Sequence, residues 1–238
     1  MNLFSFFYKT ELPQITVDIH SHLLPGIDDG VKTLKESINI IQKFKRLGYK
    51  KIITTPHVIS DFYPNTKEII STKLKEVQTT LKEQNINIIV EASAEYYLDM
   101  AFLTLLEEDE LIPFMGNYIL FETAYISKPI ILELAIKRII DKGFIPVLAH
   151  PERYTYLKTL EDFKSLKIQG ILLQINIKSL KSRSKHTNSM VKKLIQSGLV
   201  DFIGSDVHRM HDVLKMEQIL KTKEYQTIIK NNNLLNNY

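Results

Sequence analysis

Residues 18–30 read DIHSHLLPGIDDG and close an apolar run, ITVDI, at residues 15–19. Side chains alternate across an extended strand, so residues two apart point the same way. His20 and His22 can therefore face one point, as two ligands of a single metal ion must. A Pro25-Gly26 turn follows, and the same loop carries the carboxylates Asp28 and Asp29. Nitrogen and oxygen donors meeting at a strand end suit Zn²⁺, Mn²⁺ or Fe rather than a structural sulfur site.

The pattern recurs along the chain. The histidines are His20, His22, His57, His150, His186, His208 and His211. His20, His57, His150 and His208 end the strand-like runs ITVDIH, KKIITTPH, IPVLAH and VDFIGSDVH, and His22 stands two residues past the first of them. Two further runs, INIIVEASAE and YILFE, end at Glu95 and Glu122. If these strands are parallel, their C-terminal ends share one face, where α/β barrels carry their active sites. With Asp29 and Asp206 added, the set is too large to be a by-product of packing.

Working outward, one unit repeats: amphipathic helix, glycine, apolar strand, ligand-type residue. Leu34, Ile38, Ile41, Phe44 and Leu47 have helical spacing, Thr33 and Glu36 are spaced as a capping box, and Gly48 can end the helix. Segments 128–142 and 186–197 repeat the arrangement, each followed by a glycine and a strand. A long helix is expected over 66–84 and a final one over 211–230, with short helix and loop in 97–117. Strands are expected near 15–20, 50–55, 86–93, 118–122, 145–149, 170–176 and 200–204. Strands alternating with helices argue a parallel sheet or a closed barrel.

Composition narrows the field. The 238 residues, 44% hydrophobic and 24% charged, fit one globular domain with an ample core. The net charge of +4 is mild and scattered, and makes no case for nucleic acid or membrane. Cysteine is absent, which excludes disulfides, thiolate metal sites and a cysteinyl-phosphate mechanism. Residues 1–14 read as an aromatic arm, a poor signal peptide too short to span a bilayer. The Asn-rich segment 231–238 is expected to fray. These features agree with a cytoplasmic protein.

The motifs DIHSHLLPGIDDG, TTPH (54–57), AEYYLD (94–99), LFET (120–123), LAHPERY (148–154) and GSDVH (204–208) span nearly the whole chain. In that order they resemble the polymerase-and-histidinol-phosphatase (PHP) superfamily, and within it the capsule-biosynthesis type of bacterial protein-tyrosine phosphatase. The resemblance implies a single PHP domain folded as an irregular TIM-like (β/α)7 barrel holding up to three divalent ions. Manganese is expected first, with iron, magnesium and zinc as alternatives. It also implies a division of ligands. His20, His22, Glu95 and Asp206 would hold one ion. Glu95, Glu122 and His150 would hold a second. Asp29, His57 and His208 would hold the third. Arg153 would contact substrate phosphate, with Arg209 the candidate for a second such arginine.

The implied activity is hydrolysis of phosphotyrosine by a metal-activated hydroxide, on a bacterial tyrosine kinase that regulates capsule or exopolysaccharide synthesis. The alternatives are a small-molecule phosphoesterase of the same superfamily, such as a histidinol-phosphate phosphatase, and a catalytically dead scaffold. No basic or aromatic stripe supports a nuclease. Charge supports the metal count: four carboxylates bring about −4, three divalent ions about +6, and roughly +2 remains to meet a phosphate dianion.

Several residues read more plainly. Asp18 alternates with His20 and is either ligand or support; Asp28 belongs to the turn or supports a ligand. His186 and His211 read as surface residues, as do Lys192 and Lys193. Tyr96 and Tyr97 line the mouth or pack in the core.

Overall fold

The computed structural model describes residues 15–237; the aromatic arm expected over residues 1–14 lies outside them. Among the described residues every pairing between two strands is parallel. The first strands are β1 (Val17–Asp18), β2 (Lys51–Thr54), β3 (His57–Val58), β4 (Ile89–Ala92) and β5 (Glu95–Tyr97). They are followed by β6 (Tyr118–Glu122), β7 (Ile145–Ala149), β8 (Leu172–Asn176) and β9 (Phe202–Gly204). Two of the expected strands are interrupted, β2 from β3 and β4 from β5. At the first break stands Pro56, which has no N–H to give a ladder. The hydrogen bonding nevertheless runs on across both breaks, from Ser93 N to Thr54 O (2.9 Å) and from Glu95 N to Pro56 O (3.0 Å).

The sheet orders are β1-β2-β4 and β3-β5-β6-β7-β8-β9, so the paired breaks carry one curled sheet through seven strand positions. Its ends meet. Ser21 pairs with Val207 in a parallel bridge, with His22 N donating to Val207 O at 2.9 Å and Asp206 N to His20 O at 2.7 Å. This is the expected irregular TIM-like ring, closed by one bridge rather than by a full ladder.

Strand alternation sorts the side chains into two cores. Ile19, Ile53, Leu120, Val147, Ala149 and Phe202 fill the barrel interior, where Phe202 packs edge-on against both Phe114 and Tyr118. Their neighbours in sequence, Ile52, Ile119, Phe121, Leu148 and Ile203, join the outer core beneath the helices. Those helices are α1 (Leu34–Arg46), α2 (Lys67–Glu83), α3 (Met100–Glu107), α4 (Leu132–Asp141), α5 (Leu160–Ile168) and α6 (Lys185–Gln196). Thr33 caps α1 by accepting from Glu36 N, but the Glu36 carboxylate reaches Lys32 N, so the expected capping box is only half formed. Helix α5 went unread in the sequence, although Thr159 and Asp162 form a complete capping box there.

The final helix, expected as one, is two: α7 (Met210–Leu220) and α8 (Lys223–Asn231). Thr222 breaks the run by accepting from Tyr225 N and starting a new first turn. The Asn-rich end is hydrogen-bonded to the sheet over its described residues. Asn232 accepts from Val200 N, and Asn236 accepts from Ile203 N while donating to Ile203 O and Val17 O. A carboxamide carries both donor and acceptor, so Asn236 serves as a missing strand between β1 and β9.

Candidate metal centre

The strand ends deliver the ligand-type residues to one mouth. Glu95 opens β5, whose next residue, Tyr96, turns to the outer core and accepts a hydrogen bond from Ile112 N. Glu122 ends β6 on the face that carries Leu120 below it. Val147 and Ala149 point inward, so strict alternation would send His150 outward. Its backbone instead turns left-handed (φ 36°), and its ring enters the mouth. Asp206 also has a left-handed backbone (φ 49°). Strained non-glycine residues of this kind gather at functional sites, where the surrounding fold holds them.

Nine side chains converge there. The facing nitrogens, Nε2 of His20 and Nε2 of His22, lie 3.4 Å apart. Glu95 Oε2 sits 3.1 Å from the first and 3.3 Å from the second, and Asp206 Oδ1 lies 3.8 and 3.6 Å from them. Glu95 Oε1 is 2.8 Å from His150 Nε2, which is 3.7 Å from Glu122 Oε2. Asp29 Oδ1 lies 3.3 Å from His208 Nε2 and 3.6 Å from His57 Nε2. The structure thus brings together all nine expected ligand residues, but divides them less cleanly than expected. His57 faces two ways, with Nδ1 3.3 Å from both Glu95 and Glu122 and Nε2 toward Asp29. His22 stacks on His208, ring centroids 4.0 Å apart, and reaches the Asp29 group as well as His20.

These residues fit divalent ions on two grounds. Glu95 Oε2 and His57 Nδ1, which face one another, are buried without a hydrogen-bond partner; buried polar atoms are otherwise paired. The charges also call for a cation. Burial alone would keep His20, His22 and His57 neutral, yet the adjoining carboxylates raise the proton affinity of all three above the ordinary histidine value. Burial would push Glu95 up, but the imidazoles hold it well below the usual carboxylate range. The ring nitrogens that gain proton affinity here are the ones a metal ion would take, and its binding competes with protons.

A second layer fixes the rings. Asp28 accepts from His22 Nδ1 (2.7 Å), Gly30 N (2.8 Å) and His57 N (3.2 Å), so it supports the ligands from behind. Gly30 packs so closely that a Cβ there would lie 2.3 Å from His22 O. His20 Nδ1 is held by Gln174 at 2.7 Å, Gln174 donates to Asn176 at 2.9 Å, and Asn176 donates to Asp206 at 2.6 Å. Asp18 supports the fold rather than the ions: it accepts from Ser205 N and Oγ, joining β1 to β9, and burial raises its pKa to about 6.

Asp28→Asn is expected to weaken metal binding about 10–100-fold, the usual cost of losing such a partner. The amide nitrogen would face His22 Nδ1, drive the proton to Nε2 and remove the lone pair that ligates. Metal titration of the stripped variant checks this, and unchanged affinity would overturn it.

Residues 16–231 match the family described as Capsular polysaccharide synthesis, CpsB/CapC. The chain belongs to the CpsB/CapC family. It is 27% identical over 203 residues to "Tyrosine-protein phosphatase CpsB" of Streptococcus agalactiae, covering 82% of this chain and 83% of that protein. It is 28% identical over 202 residues to "Tyrosine-protein phosphatase YwqE" of Bacillus subtilis, covering 82% of this chain and 78% of the relative. In three dimensions it resembles a solved structure from work on Bacillus subtilis YwqE and Streptococcus pneumoniae CpsB, "unique metal-dependent tyrosine phosphatases". That match has a TM-score of 0.78 at 25% identity and covers 90% of this chain and 92% of the other.

In this CpsB/CapC chain the cationic wall of the mouth differs from expectation at one residue. Arg153 lines a cavity of about 310 Å³ with the ligand residues, 3.3 Å from Asp206 and with its guanidinium 4.8 Å from the Tyr125 ring centre. Arg209 does not line that cavity. Its guanidinium donates to the carbonyls of Gly30 and His208 and ties the two ligand loops together. The second cation in the cavity is Lys178, beside Asp206 and 3.5 Å from Asp212. His186 lies away from the centre on Tyr154 O, and His211 is exposed beside Asp212.

Gln174, Asn176, Lys178 and Tyr125 escaped the sequence reading. Gln174 and Asn176 carried a usable signal, being two apart at the end of a predicted strand, the spacing that singled out His20 and His22. Tyr125 and Lys178 sit in loop and turn, where no periodicity marks them.

Proposed function

We propose that this chain is a metal-dependent phosphatase that hydrolyses tyrosine phosphate esters on proteins. The observation that carries the reading is one cavity in which the histidine and carboxylate cluster meets Arg153 and Lys178. The family membership and the activities for which the relatives are named support it.

In this reading His20, His22, Glu95 and Asp206 hold one ion, Glu95, Glu122 and His150 a second, and Asp29, His57 and His208 a third. Manganese is the proposed ion, and iron, magnesium and zinc also suit the donors. Divalent ions held by these residues would supply Lewis acidity and a hydrolytic nucleophile near neutral pH.

The chain's own groups supply the rest. Arg153 presents a planar guanidinium fork to the phosphoryl oxygens, which gather charge in the transition state. Tyr125 braces that fork by a cation–π contact. Lys178 adds a compact positive charge beside it. A tyrosine leaving group, with a pKa of about 10, departs with little proton assistance. Arg209 keeps the Gly30 and His208 loops in register. A bacterial tyrosine kinase of polysaccharide export, met in the cytoplasm, is the proposed partner. Among the described residues no helix is long and apolar enough to cross a membrane.

Phosphate release from a phosphotyrosyl peptide and from histidinol phosphate, by Mn²⁺-loaded and EDTA-stripped protein, tests the proposal. Loaded protein is expected to release phosphate from the peptide, and stripped protein to release none. Full activity after stripping would refute the metal dependence. Activity on histidinol phosphate alone would move the function to small-molecule metabolism.

A further inference from the structure

The small net charge of the whole chain conceals a concentrated one. Next to the metal centre runs a groove of about 800 Å³ that shares Tyr125, Arg153, Lys178 and Asp206 with the central cavity. Beyond these it is lined by Lys181, Arg183 and Lys215. Lys181 ends the 3-10 turn Ile177–Lys181 that follows β8, Arg183 lies in the loop leading to α6, and Lys215 projects from α7. Among the described residues the groove therefore holds five cationic side chains against a single carboxylate, Asp206. That carboxylate is already engaged by Asn176 and Arg153.

The outer three cations are exposed and make no ion pair with any described residue, unlike many lysines of this chain, which sit beside a glutamate or aspartate. Like charges left together without partners repel, and they gain most from an anionic ligand. Hydroxyls of Ser182 and Ser184 lie among them and can donate to the same ligand. Pockets of roughly 300–1,000 Å³ accommodate drug-sized molecules, so this groove admits a short peptide segment. Its inner end opens on Arg153, where the phosphoryl group would sit.

We propose that Lys181, Arg183 and Lys215 form a specificity subsite for carboxylates flanking the phosphotyrosine, so that the enzyme selects acidic phosphotyrosyl segments. The inference rests on the phosphatase reading above and adds to it a rule for choosing among phosphotyrosines. Charge complementarity of this kind acts on productive encounter and on register, so the effect belongs in KM rather than in kcat.

The test uses the metal-loaded full chain and three substrates: p-nitrophenyl phosphate, a phosphotyrosyl peptide with glutamates on both flanks, and the same peptide with glutamines in their place. At low ionic strength kcat/KM for the acidic peptide is expected to exceed that for the neutral one by about tenfold, a few surface charge contacts acting together. The preference is expected to collapse near 1 M salt, where the screening length falls to about 3 Å. In the triple variant Lys181→Ala, Arg183→Ala, Lys215→Ala the ratio is expected to approach one. Equal kcat/KM for the two peptides in the wild type would overturn the subsite and leave the phosphatase reading standing, as would a ratio that survives in the triple variant. Failure to hydrolyse p-nitrophenyl phosphate and both peptides would overturn the phosphatase reading itself, and the subsite with it. The salt series needs no variant, so a triple variant that fails to fold does not blunt the test.

Discussion

Glu95→Gln is expected to leave less than about 1% of wild-type activity and to lower the amount of metal the protein retains. The reason is position. One carboxylate oxygen faces His20, His22 and His57, and the other faces His150. A residue that only supports a ligand costs about 10–100-fold in affinity or activity when lost, and Glu95 is proposed to ligate two ions directly. Glutamine keeps the shape but brings an amide nitrogen, which cannot ligate, against imidazoles that must also lack a proton. Circular dichroism of the variant establishes that the fold persists, and metal content with phosphate release measures the effect. Near-normal turnover at full metal occupancy would remove Glu95 from the centre.

Arg153→Ala is expected to lower kcat about 10²–10³-fold, the range found when a single donor to a developing oxyanion is removed, while the protein keeps its metal. The separation of effects follows from the geometry. Arg153 shares the cavity with the ligands and contacts Asp206 through a second carboxylate oxygen, Oδ2, whereas Oδ1 faces the histidines. Arg153→Lys is expected to recover only part of the loss, because an ammonium restores charge but not the planar fork. Metal analysis beside steady-state kinetics on a phosphotyrosyl peptide checks both variants. Wild-type turnover by Arg153→Ala would end the proposed role.

Comparison of the two arginines shows where local pattern stops being informative. Arg153 sits three residues after His150 in HPERY, and the structure turns it into the mouth. Arg209 sits even closer to a histidine of the mouth, directly after His208, yet its guanidinium is taken up by the carbonyls of Gly30 and His208. Adjacency in sequence does not say which way a side chain leaves a loop. The partner that decides it, Gly30, is far away along the chain. Lys178, which stands in the cavity instead, belongs to a turn with no periodic signal. The same limit applies to the tail. Asparagine-rich ends ordinarily fray, and only the unfilled gap between β1 and β9 gives Asn236 its partners.

What the sequence by itself determined was a set of ligand-type residues and their place at the strand ends. Apolar runs that end in histidine or carboxylate, alternating with helices, argue a parallel sheet or a closed barrel, and either one gathers those ends on one face. That follows from strand periodicity and chain direction, both local properties. Tertiary structure alone decided which ring nitrogen faces which oxygen, which amide or carboxylate holds each imidazole, and which cation reaches the cavity. It also drew Lys181, Arg183 and Lys215 into one groove, although the chain as a whole is nearly balanced in charge. Those outcomes depend on distances of a few ångströms between residues far apart in the chain, and only the closed fold sets such distances.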